Sequence, residues 1–416
     1  MLITSSDGFE EMIEALQTGH GPIAIDAERA SGYRYSQRAY LIQIFRRGGG
    51  LHLIDPIAVS AQADWAQLGS TFADEEWIIH ASTQDLPCLR ELGLTPRILF
   101  DTELGSRIAG APRAGLGPLC SSLLGFALAK EHSAVDWSTR PLKEEWLTYA
   151  ALDVDVLVDL RDAVEKLLAS QGKLEWAQEE FAAILTSAPN PPRKDPWRRT
   201  SGMHKVRDRM TLALIRAMWQ ARDEFAQRID ISPGRIFNDE VLLDLVTKRP
   251  AKIDEFTKIV KRRTRVENLP TTEWFTLFQQ TLTLSADELP EVRTPALGLP
   301  PLKVWRERNP MAHARITHAK AALQLRAAEL GMPTENLLSP EYLRQLMWKN
   351  PTVSAQSTEE EFQEYISATL LSLGARRWQV DQSWMVLQEP LLATTPLVTN
   401  NDDENESPTQ SATPAQ

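Results

Sequence analysis

The sequence has few cysteines and no long apolar run, and this limits the classes of protein to which it can belong. Its two cysteines, Cys88 and Cys120, lie in apolar contexts, which predicts reduced core residues and excludes a disulfide-rich secreted scaffold. No apolar run approaches the roughly 18 residues that a membrane helix requires. Residues 1–8 lack the basic and apolar regions of a secretory signal peptide. We therefore expect a cytoplasmic protein with no membrane partner.

The net charge of −11 is unusual for a protein that binds nucleic acid, but the charge is unevenly distributed. Residues 192–209 contain seven Lys or Arg against two Asp, and residues 258–265 contain five basic residues and no acid. Such segments suit contacts with phosphates, although a soluble linker and a solvated helix end have the same composition. The candidate nucleic-acid contacts are Arg198, Arg199, Lys205, Lys261, Arg262, Arg263 and Arg265.

Two acids, Asp26 and Glu28, follow a short apolar segment that predicts a buried strand. Because strand residues two apart point to the same face, both carboxylates would lie together. Two close carboxylates repel each other unless a cation neutralises them. The pair is therefore a candidate half of a metal site, with two solvated acids at a strand end as the alternative.

A third acid, Asp85, follows another apolar strand candidate over residues 76–80. It would lie in the first turn of a helix over residues 84–92, where an acid also suits the helix dipole. Helix capping is therefore an alternative to metal binding for this residue.

Residues 141–160 predict a long helix that opens with Pro141, a residue suited to the first helical position. Tyr149 and Asp153 are four residues apart, so they are neighbours on one face of this helix. An aspartate on the apolar side of a helix is costly to bury unless it is paired or bound to a metal. The apolar residues that recur at helical spacing are Leu142, Trp146, Ala150, Val156, Leu157 and Leu160.

The pattern of predicted elements divides the chain into six segments. Strand predictions near residues 22–26, 39–45, 51–55 and 76–80 alternate with helices, which is typical of an α/β domain. Proline-rich stretches then separate regions with almost purely helical patterns. The expected order is an α/β domain over residues 1–187, a Pro/Arg-rich linker over 188–203, a helical domain over 204–285, a linker over 286–300, a second helical domain over 301–388, and a disordered tail over 389–416.

The helical half contains an internal repeat. Residues 226–242 are matched 101 positions later by residues 327–343. Glu240 corresponds to Glu341, and the segment Lys-Arg-Pro that ends at Pro250 corresponds to Lys-Asn-Pro. The two helical domains are therefore expected to be related copies.

The order Asp-x-Glu, Asp, Tyr-x3-Asp resembles that of the DEDD-type 3′–5′ exonucleases of the tyrosine subclass. The segment Asp136-Trp-Ser-Thr-Arg-Pro-Leu that leads into Tyr149-Ala-Ala-Leu-Asp narrows the resemblance to the bacterial ribonuclease D family. The first helical repeat resembles the helicase-and-RNase-D C-terminal (HRDC) domain, and the second resembles a degenerate copy of it.

The chain departs from the superfamily pattern at two places. His80, Ala81 and Gln84 occupy the region where the superfamily has an asparagine and an aromatic residue before the second-motif acid. Trp146 stands where the family often has glutamine. Neither departure removes a carboxylate, so both bear on the substrate rather than on the chemistry.

The resemblance implies a ribonuclease H-like α/β exonuclease domain, with a mixed sheet flanked by helices, followed by two all-α helical-bundle domains. It implies two divalent cations, Mg²⁺ or Mn²⁺, which Asp26 would bridge. Glu28 and Asp153 would complete the site that activates water, and Asp85 would support the second ion through water. Tyr149 would orient the attacking water.

The expected activity is that of a monomeric 3′–5′ exoribonuclease without a nucleotide cofactor. It would release nucleoside 5′-monophosphates from structured RNA such as tRNA precursors. A DNA-directed exonuclease is one alternative, although the sequence has no polymerase or helicase segment. A non-catalytic nucleic-acid-binding scaffold is the other, but a scaffold would tolerate loss of carboxylates, and all four acids and the tyrosine are present.

Overall fold

A computed structural model describes residues 2–59, 63–128, 135–188, 191–264, 266–292 and 298–397. Its N-terminal part is built on a six-stranded sheet with the strand order β1-β4-β3-β2-β5-β6. β3 pairs antiparallel with both β2 and β4, and the other neighbours are parallel, which confirms the mixed sheet. The strands are β1 (Leu2–Ile3), β2 (His20–Arg29), β3 (Ala39–Arg47), β4 (Gly50–Ile54), β5 (Glu76–Ile79) and β6 (Ile98–Asp101).

The four strands predicted from the sequence are β2 to β5, whereas β1 and β6 were not predicted. β1 has two residues and β6 has four, and such short segments give no measurable alternation. β2 is longer than expected, because it continues through both acids to Arg29 while paired with β3.

Nine helices are described in the N-terminal part, and several of them pack on the sheet. The first begins after Ser5, whose hydroxyl accepts a hydrogen bond from the Gly8 amide, and it buries an apolar stripe that includes Phe9 and Leu16. The helices are α1 (Ser6–Thr18), α2 (Pro56–Val59), α3 (Trp65–Thr71), α4 (Leu86–Glu91), α5 (Thr102–Ile108), α6 (Leu116–Leu119), α7 (Glu144–Asp155), α8 (Leu157–Ser170) and α9 (Leu174–Thr186). A π-helical turn, Cys120–Leu124, follows α6.

The prediction that Pro141 opens one long helix is wrong. α7 begins at Glu144 and ends at Asp155, and a separate helix, α8, begins at Leu157. The segment before α7 is held out of a helix by Arg140, whose guanidinium donates to both carboxylate oxygens of Asp55 and to the carbonyl of Tyr40. The Arg140–Pro141 peptide is cis.

The chain beyond residue 190 is helical. Its first group comprises α10 (Arg209–Ile229), α11 (Pro233–Ile236), α12 (Asp239–Lys248), α13 (Ile253–Val260) and α14 (Thr271–Leu282). Its second group comprises α15 (Trp305–Arg308), α16 (Pro310–Glu329), α17 (Thr334–Leu337), α18 (Pro340–Trp348), α19 (Glu359–Ser372) and α20 (Arg377–Leu391). Short 3₁₀ turns lie at Pro196–Arg199, Met203–Lys205 and Leu302–Val304.

The two helical groups repeat one arrangement of a long helix, a one-turn helix and a third helix. α10, α11 and α12 begin at Arg209, Pro233 and Asp239, and α16, α17 and α18 each begin 101 positions later. This spacing is that of the repeat in the sequence. This architecture confirms the predicted fold class, an α/β domain with a mixed sheet followed by helical domains.

Two large apolar cores underlie the chain. One runs from both faces of the sheet into the second helical group, where Trp176 stacks on Trp378 with ring centroids 5.2 Å apart. The other is internal to the first helical group. A smaller cluster of Tyr40, Trp137, Trp146 and Ala150 joins α7 to the sheet. Cys88 and Cys120 are free and buried, as predicted.

The last helix extends beyond the boundary predicted at residue 388, because Leu387, Pro390 and Leu391 are all buried. Residues 392–397 of the expected disordered tail are described as well, and the Leu397 amide donates to the Thr317 hydroxyl at 3.2 Å. The remaining tail residues, 398–416, lie outside the described residues, as do parts of both linkers. Within the described part of the chain, no helix is both long and apolar enough to cross a membrane.

Candidate active site

Asp26 and Glu28 lie in the second half of β2, near the middle of the sheet. Their neighbours Ile25 and Ala27 are buried on the other face, so strand alternation directs both carboxylates to one side. Asp26 is paired with Gln43 of β3, and Glu28 with Leu41. The side of the sheet that carries both acids is the side that α7 approaches.

α7 brings Asp153 to these two acids. One oxygen from each of Asp26, Glu28 and Asp153 lies within 4.8 Å of the other two. Tyr149, one turn earlier on α7, makes a side-chain hydrogen bond to Asp153. The structure therefore assembles three of the four predicted acids and the tyrosine into one constellation, which we call the acid cluster (Asp26, Glu28, Asp153).

Asp85 lies beside the acid cluster rather than within its closest group. It stands at the N-cap position of α4, one residue before the helix begins and not inside the first turn as predicted, and its side chain makes no capping hydrogen bond. Its carboxylate is 5% exposed and faces Arg29, with Nη2 of Arg29 3.5 Å from Oδ1 of Asp85. Capping therefore does not explain this buried acid.

The acids raise one another's pKa. Burial first, and the charges of Asp26, Asp153 and Asp85 next, hold the pKa of Glu28 well above its usual range. Burial and the charge of Asp26 raise the pKa of Asp85 well above its usual range and that of Asp153 to about 7. Burial also raises the pKa of Asp26. Such a site favours protons or cations.

Arg29 is the positive charge that offsets this repulsion. It follows Glu28 on β2, and its charge lowers the pKa of Asp26, Glu28 and Asp85 against the effect of burial. Nη2 of Arg29 also lies 3.5 Å from Oε1 of Gln84. Arg29 was not predicted as a site residue, because its partner Asp85 is 56 positions away and only the fold brings the two side chains together.

Tyr149 is a poor base at neutral pH, because an ordinary phenol keeps its proton there. Burial and the charge of Asp153 raise the pKa of the phenol above its already high ordinary value. The phenol therefore keeps its proton and serves as a hydrogen-bond donor and acceptor beside Asp153.

Asp101 organises the turn that precedes Asp85. It is 1% exposed, and Ala81 in this turn has a φ of 58°, a left-handed conformation that a non-glycine residue adopts only when its surroundings fix it. His80, at the end of β5, contacts the Thr102 hydroxyl at 2.9 Å. The Asp101 carboxylate accepts hydrogen bonds from the amides of Ala81, Ser82, Glu103 and Leu104 and from the Ser82 hydroxyl.

The donor set fits a hard divalent cation. The available ligands are carboxylate oxygens, which Mg²⁺ and Mn²⁺ prefer over nitrogen or sulfur. The amide of Gln43, paired with Asp26 across the strands, is fully buried and has no hydrogen-bond partner among the described residues. A buried amide of this kind needs a polar partner, and cation-bound water can provide one.

The predicted nucleic-acid contacts differ in their surroundings. Arg198 contacts Asp195 and stacks on Trp197, while Arg262 and Arg263 pair with acids of α12, Asp244 at 2.8 Å and Glu240 at 2.5 Å. Arg265 lies outside the described residues. Of the predicted contacts that the structure describes, Arg199, Lys205 and Lys261 are exposed and have no acidic partner among the described residues.

Three family models match separate parts of the chain. A 3′–5′ exonuclease model covers residues 1–169, an HRDC domain model covers residues 211–267, and a 3′ to 5′ exonuclease C-terminal domain model covers residues 298–391. The chain is 30% identical over 266 residues to ribonuclease D of Gluconacetobacter diazotrophicus. That match spans 62% of this chain and 66% of the relative, just under two thirds of its length.

Two solved structures extend the likeness along the chain. A protein from Bifidobacterium adolescentis is 34% identical with a TM-score of 0.84, covering 94% of this chain and 96% of that one. The ribonuclease D of Escherichia coli has a TM-score of 0.61 at 23% identity, covering 90% of this chain and 98% of that one. In its exonuclease and HRDC parts, the chain is similar to bacterial ribonuclease D.

These matches confirm the resemblance to ribonuclease D that the acid motifs and the first helical repeat indicated. The acid cluster lies entirely within the part matched by the exonuclease model. The family model that matches residues 298–391 is described as a 3′ to 5′ exonuclease C-terminal domain and not as an HRDC domain. The interpretation of this region as a degenerate HRDC copy therefore stays a prediction.

Proposed function

We propose that this protein is a metal-dependent 3′–5′ exoribonuclease that trims the 3′ ends of structured RNA such as tRNA precursors and releases nucleoside 5′-monophosphates. The observation that carries the proposal is the acid cluster, with three carboxylates within 4.8 Å of one another in a 3′–5′ exonuclease domain. The name of the curated relatives supports RNA as the substrate. The E. coli relative is an exoribonuclease involved in structured RNA processing.

Asp26, Glu28 and Asp153 would hold two divalent cations, Mg²⁺ or Mn²⁺, and Asp85 would support the second through water. When bound, the cations supply Lewis-acid polarisation of the scissile phosphate and a lower pKa for the attacking water. The raised pKa values of the carboxylates are those of a site that becomes stable once positive charge enters it.

Tyr149 would position the attacking water. Its hydroxyl is hydrogen-bonded to Asp153, and its raised pKa keeps the proton in place. The phenol can therefore accept a hydrogen bond from water while it donates to a neighbouring carboxylate. Asp101 would hold the turn before Asp85, and Arg29 would balance the charge of Asp85 before substrate binds.

The helical domains would contact the body of the RNA while its 3′ end reaches the acid cluster. Arg199, Lys205 and Lys261 are the predicted contacts that remain exposed without an acidic partner in the described structure. Phosphate contacts of this kind are independent of sequence and weaken as salt rises. The protein would act as a monomer in the cytoplasm.

The test is incubation with a 3′-extended tRNA precursor and with a DNA oligonucleotide of matched sequence, each with Mg²⁺ and with a chelator. Stepwise shortening of the RNA that needs Mg²⁺ is the expected result. The variant Asp153→Asn should abolish this shortening. Asp155→Asn is its matched control, because Asp155 is on the same helix and is exposed. Preferential shortening of the DNA would indicate a DNA-directed exonuclease, and binding without shortening would indicate a scaffold.

A further inference from the structure

The loop between β2 and β3, residues 30–38, is held by the first helical domain. We call this segment the docking loop. It begins two positions after Glu28 of the acid cluster, and it is bonded to the last turn of α10, to α11 and to the residues between them. Contacts that involve both main-chain and side-chain atoms fix the path of a loop more tightly than surface ion pairs do.

Asp230 holds the C-terminal part of the docking loop. Its carboxylate accepts hydrogen bonds from the Ser36 amide at 2.8 Å and from the Tyr40 hydroxyl at 3.2 Å, and it faces Arg38 at 3.4 Å. Asp230 ends α10 with a φ of 50°. Aspartate and asparagine adopt this left-handed conformation more readily than other side chains do.

Arg235 holds the N-terminal part of the docking loop. Its Nε donates to the carbonyl of Gly32 at 2.8 Å, and its guanidinium lies 3.8 Å from the centre of the Tyr33 ring. The Ser232 amide donates to the carbonyl of Tyr33 at 3.0 Å. Beside these contacts, the Tyr35 hydroxyl donates to Asp223 of α10 at 3.0 Å, and the Tyr35 ring packs on the core of the first helical domain.

The other side of the docking loop faces the elements that carry Tyr149 and Asp153. Tyr33 and Tyr149 both pack against the small apolar cluster of Trp137, Trp146 and Ala150. Arg34 donates to the Ser138 hydroxyl at 2.8 Å, and Ser138 lies in the segment that leads into α7. The docking loop therefore continues from β2 through the chain. Through Arg34 and Tyr33 it contacts the segment before α7 and the apolar cluster that joins α7 to the sheet.

We propose that the first helical domain positions the catalytic centre through the docking loop, in addition to any contact it makes with RNA, and that Asp230 and Arg235 are positioning residues for the reaction. The inference rests on the proposed exonuclease function. Loosening the loop shifts Tyr149 and the acids of β2 relative to each other, and small misplacements of reacting groups are costly in rate. The domain thus contributes to turnover even on a substrate too short to need a second binding surface.

The experiment measures kcat and KM of the full-length protein on an RNA dinucleotide, which has a single phosphodiester, and affinity for a 3′-extended tRNA precursor. The variants are Asp230→Asn, which keeps the left-handed conformation accessible, and Arg235→Ala. Arg228→Ala is the matched control, because Arg228 is an exposed arginine of the same domain whose guanidinium lies over Phe225 at 5.2 Å within that domain. Tyr35→Phe is a milder variant that removes one hydroxyl and keeps the ring in the core.

Both positioning variants are expected to lower kcat on the dinucleotide by about fivefold or more while KM changes by less than about twofold. Tyr35→Phe should lower kcat by a smaller factor, Arg235→Lys should recover part of the Arg235→Ala loss, and the Arg228→Ala control should leave kcat unchanged. Hydrogen exchange should become faster in the docking loop and in α7 of Asp230→Asn, while the amides of α12 keep their protection.

Unchanged dinucleotide kcat in Asp230→Asn and Tyr35→Phe would overturn the inference, whether or not affinity for the tRNA precursor falls. If Asp230→Asn is less folded by circular dichroism, Tyr35→Phe decides, since it leaves the apolar contact intact. A parent protein that cleaves neither substrate with Mg²⁺ or Mn²⁺ would instead reject the proposed function, and this inference with it.

Discussion

Replacing Asp153 by asparagine should stabilise the protein without metal while it abolishes metal-dependent cleavage. The substitution removes one of three carboxylates that lie within 4.8 Å of one another, and at this distance two unit charges repel by about 3.5 kcal/mol in an environment with an effective dielectric constant of about 20. The rise in the Asp153 pKa from 3.8 to about 7 corresponds to about 4 kcal/mol. Because Asp153 is partly exposed, we expect Asp153→Asn to raise the free energy of unfolding by about 2 kcal/mol at pH 8.

The sign of the pH dependence follows from the raised pKa. Below about pH 3 the Asp153 carboxyl is mostly protonated in both the folded and the unfolded chain, so the parent and the variant should be nearly equally stable. As the pH rises from about 3 to about 7, the unfolded chain loses this proton more readily than the folded protein does, so the parent loses stability relative to the variant. The difference should be constant above about pH 7.

The assay is urea unfolding in chelator at pH 4.5 and pH 8, repeated with Mn²⁺. A cation at about 100 times its dissociation constant should stabilise the parent by about 2.7 kcal/mol and the variant by much less. Asp155→Asn is the control, because Asp155 is exposed on the same helix and outside the acid cluster. A variant that is less stable than the parent at pH 8 in chelator, or that Mn²⁺ stabilises equally, would refute the reasoning.

Tyr149→Phe should keep Mn²⁺ affinity, measured by electron paramagnetic resonance, but lower kcat by about tenfold or more, because only the hydroxyl beside Asp153 is lost. Equal kcat would make this tyrosine a packing residue. Arg29→Gln should strengthen Mn²⁺ binding in calorimetry by at least about threefold, since it removes a competing cation; weaker binding would contradict that role. Lys261→Gln should lower tRNA-precursor affinity and its salt slope more than Arg262→Gln or Arg263→Gln, whose side chains are already paired with acids; equal effects would mean that these pairs open on binding.

The acid cluster could be predicted because each of its parts is local in the sequence. Two acids at alternate strand positions share a face, and a tyrosine and an aspartate four positions apart share a helix face, whatever the rest of the fold is. The strands β2 to β5 could be predicted as well, because they have apolar runs of recognisable length. The internal repeat could also be predicted, because its two copies keep a constant spacing of 101 residues in the sequence.

The features that escaped prediction depend on residues far apart in the chain. Arg29 meets Asp85 only because β2 and β5 are neighbours, and Arg262 meets Asp244 only because the turn after α13 folds back on α12. Pro141 fits a helix start by local rules, yet Arg140 binds Asp55 and delays the helix to Glu144. Tertiary contacts of this kind override local preference, and composition alone does not reveal them.

The most direct test of the central claim is to digest a short unstructured RNA in ¹⁸O-labelled water with Mn²⁺ and to identify the products by mass spectrometry. If the acid cluster directs water onto the 3′-terminal phosphodiester, each product should be a nucleoside 5′-monophosphate with one ¹⁸O atom on its phosphate. This labelled product should be absent with chelator and in the variants Asp26→Asn and Asp153→Asn, and it should persist in Asp155→Asn. Nucleoside 3′-monophosphates, or 5′-monophosphates that persist in both cluster variants, would contradict the account.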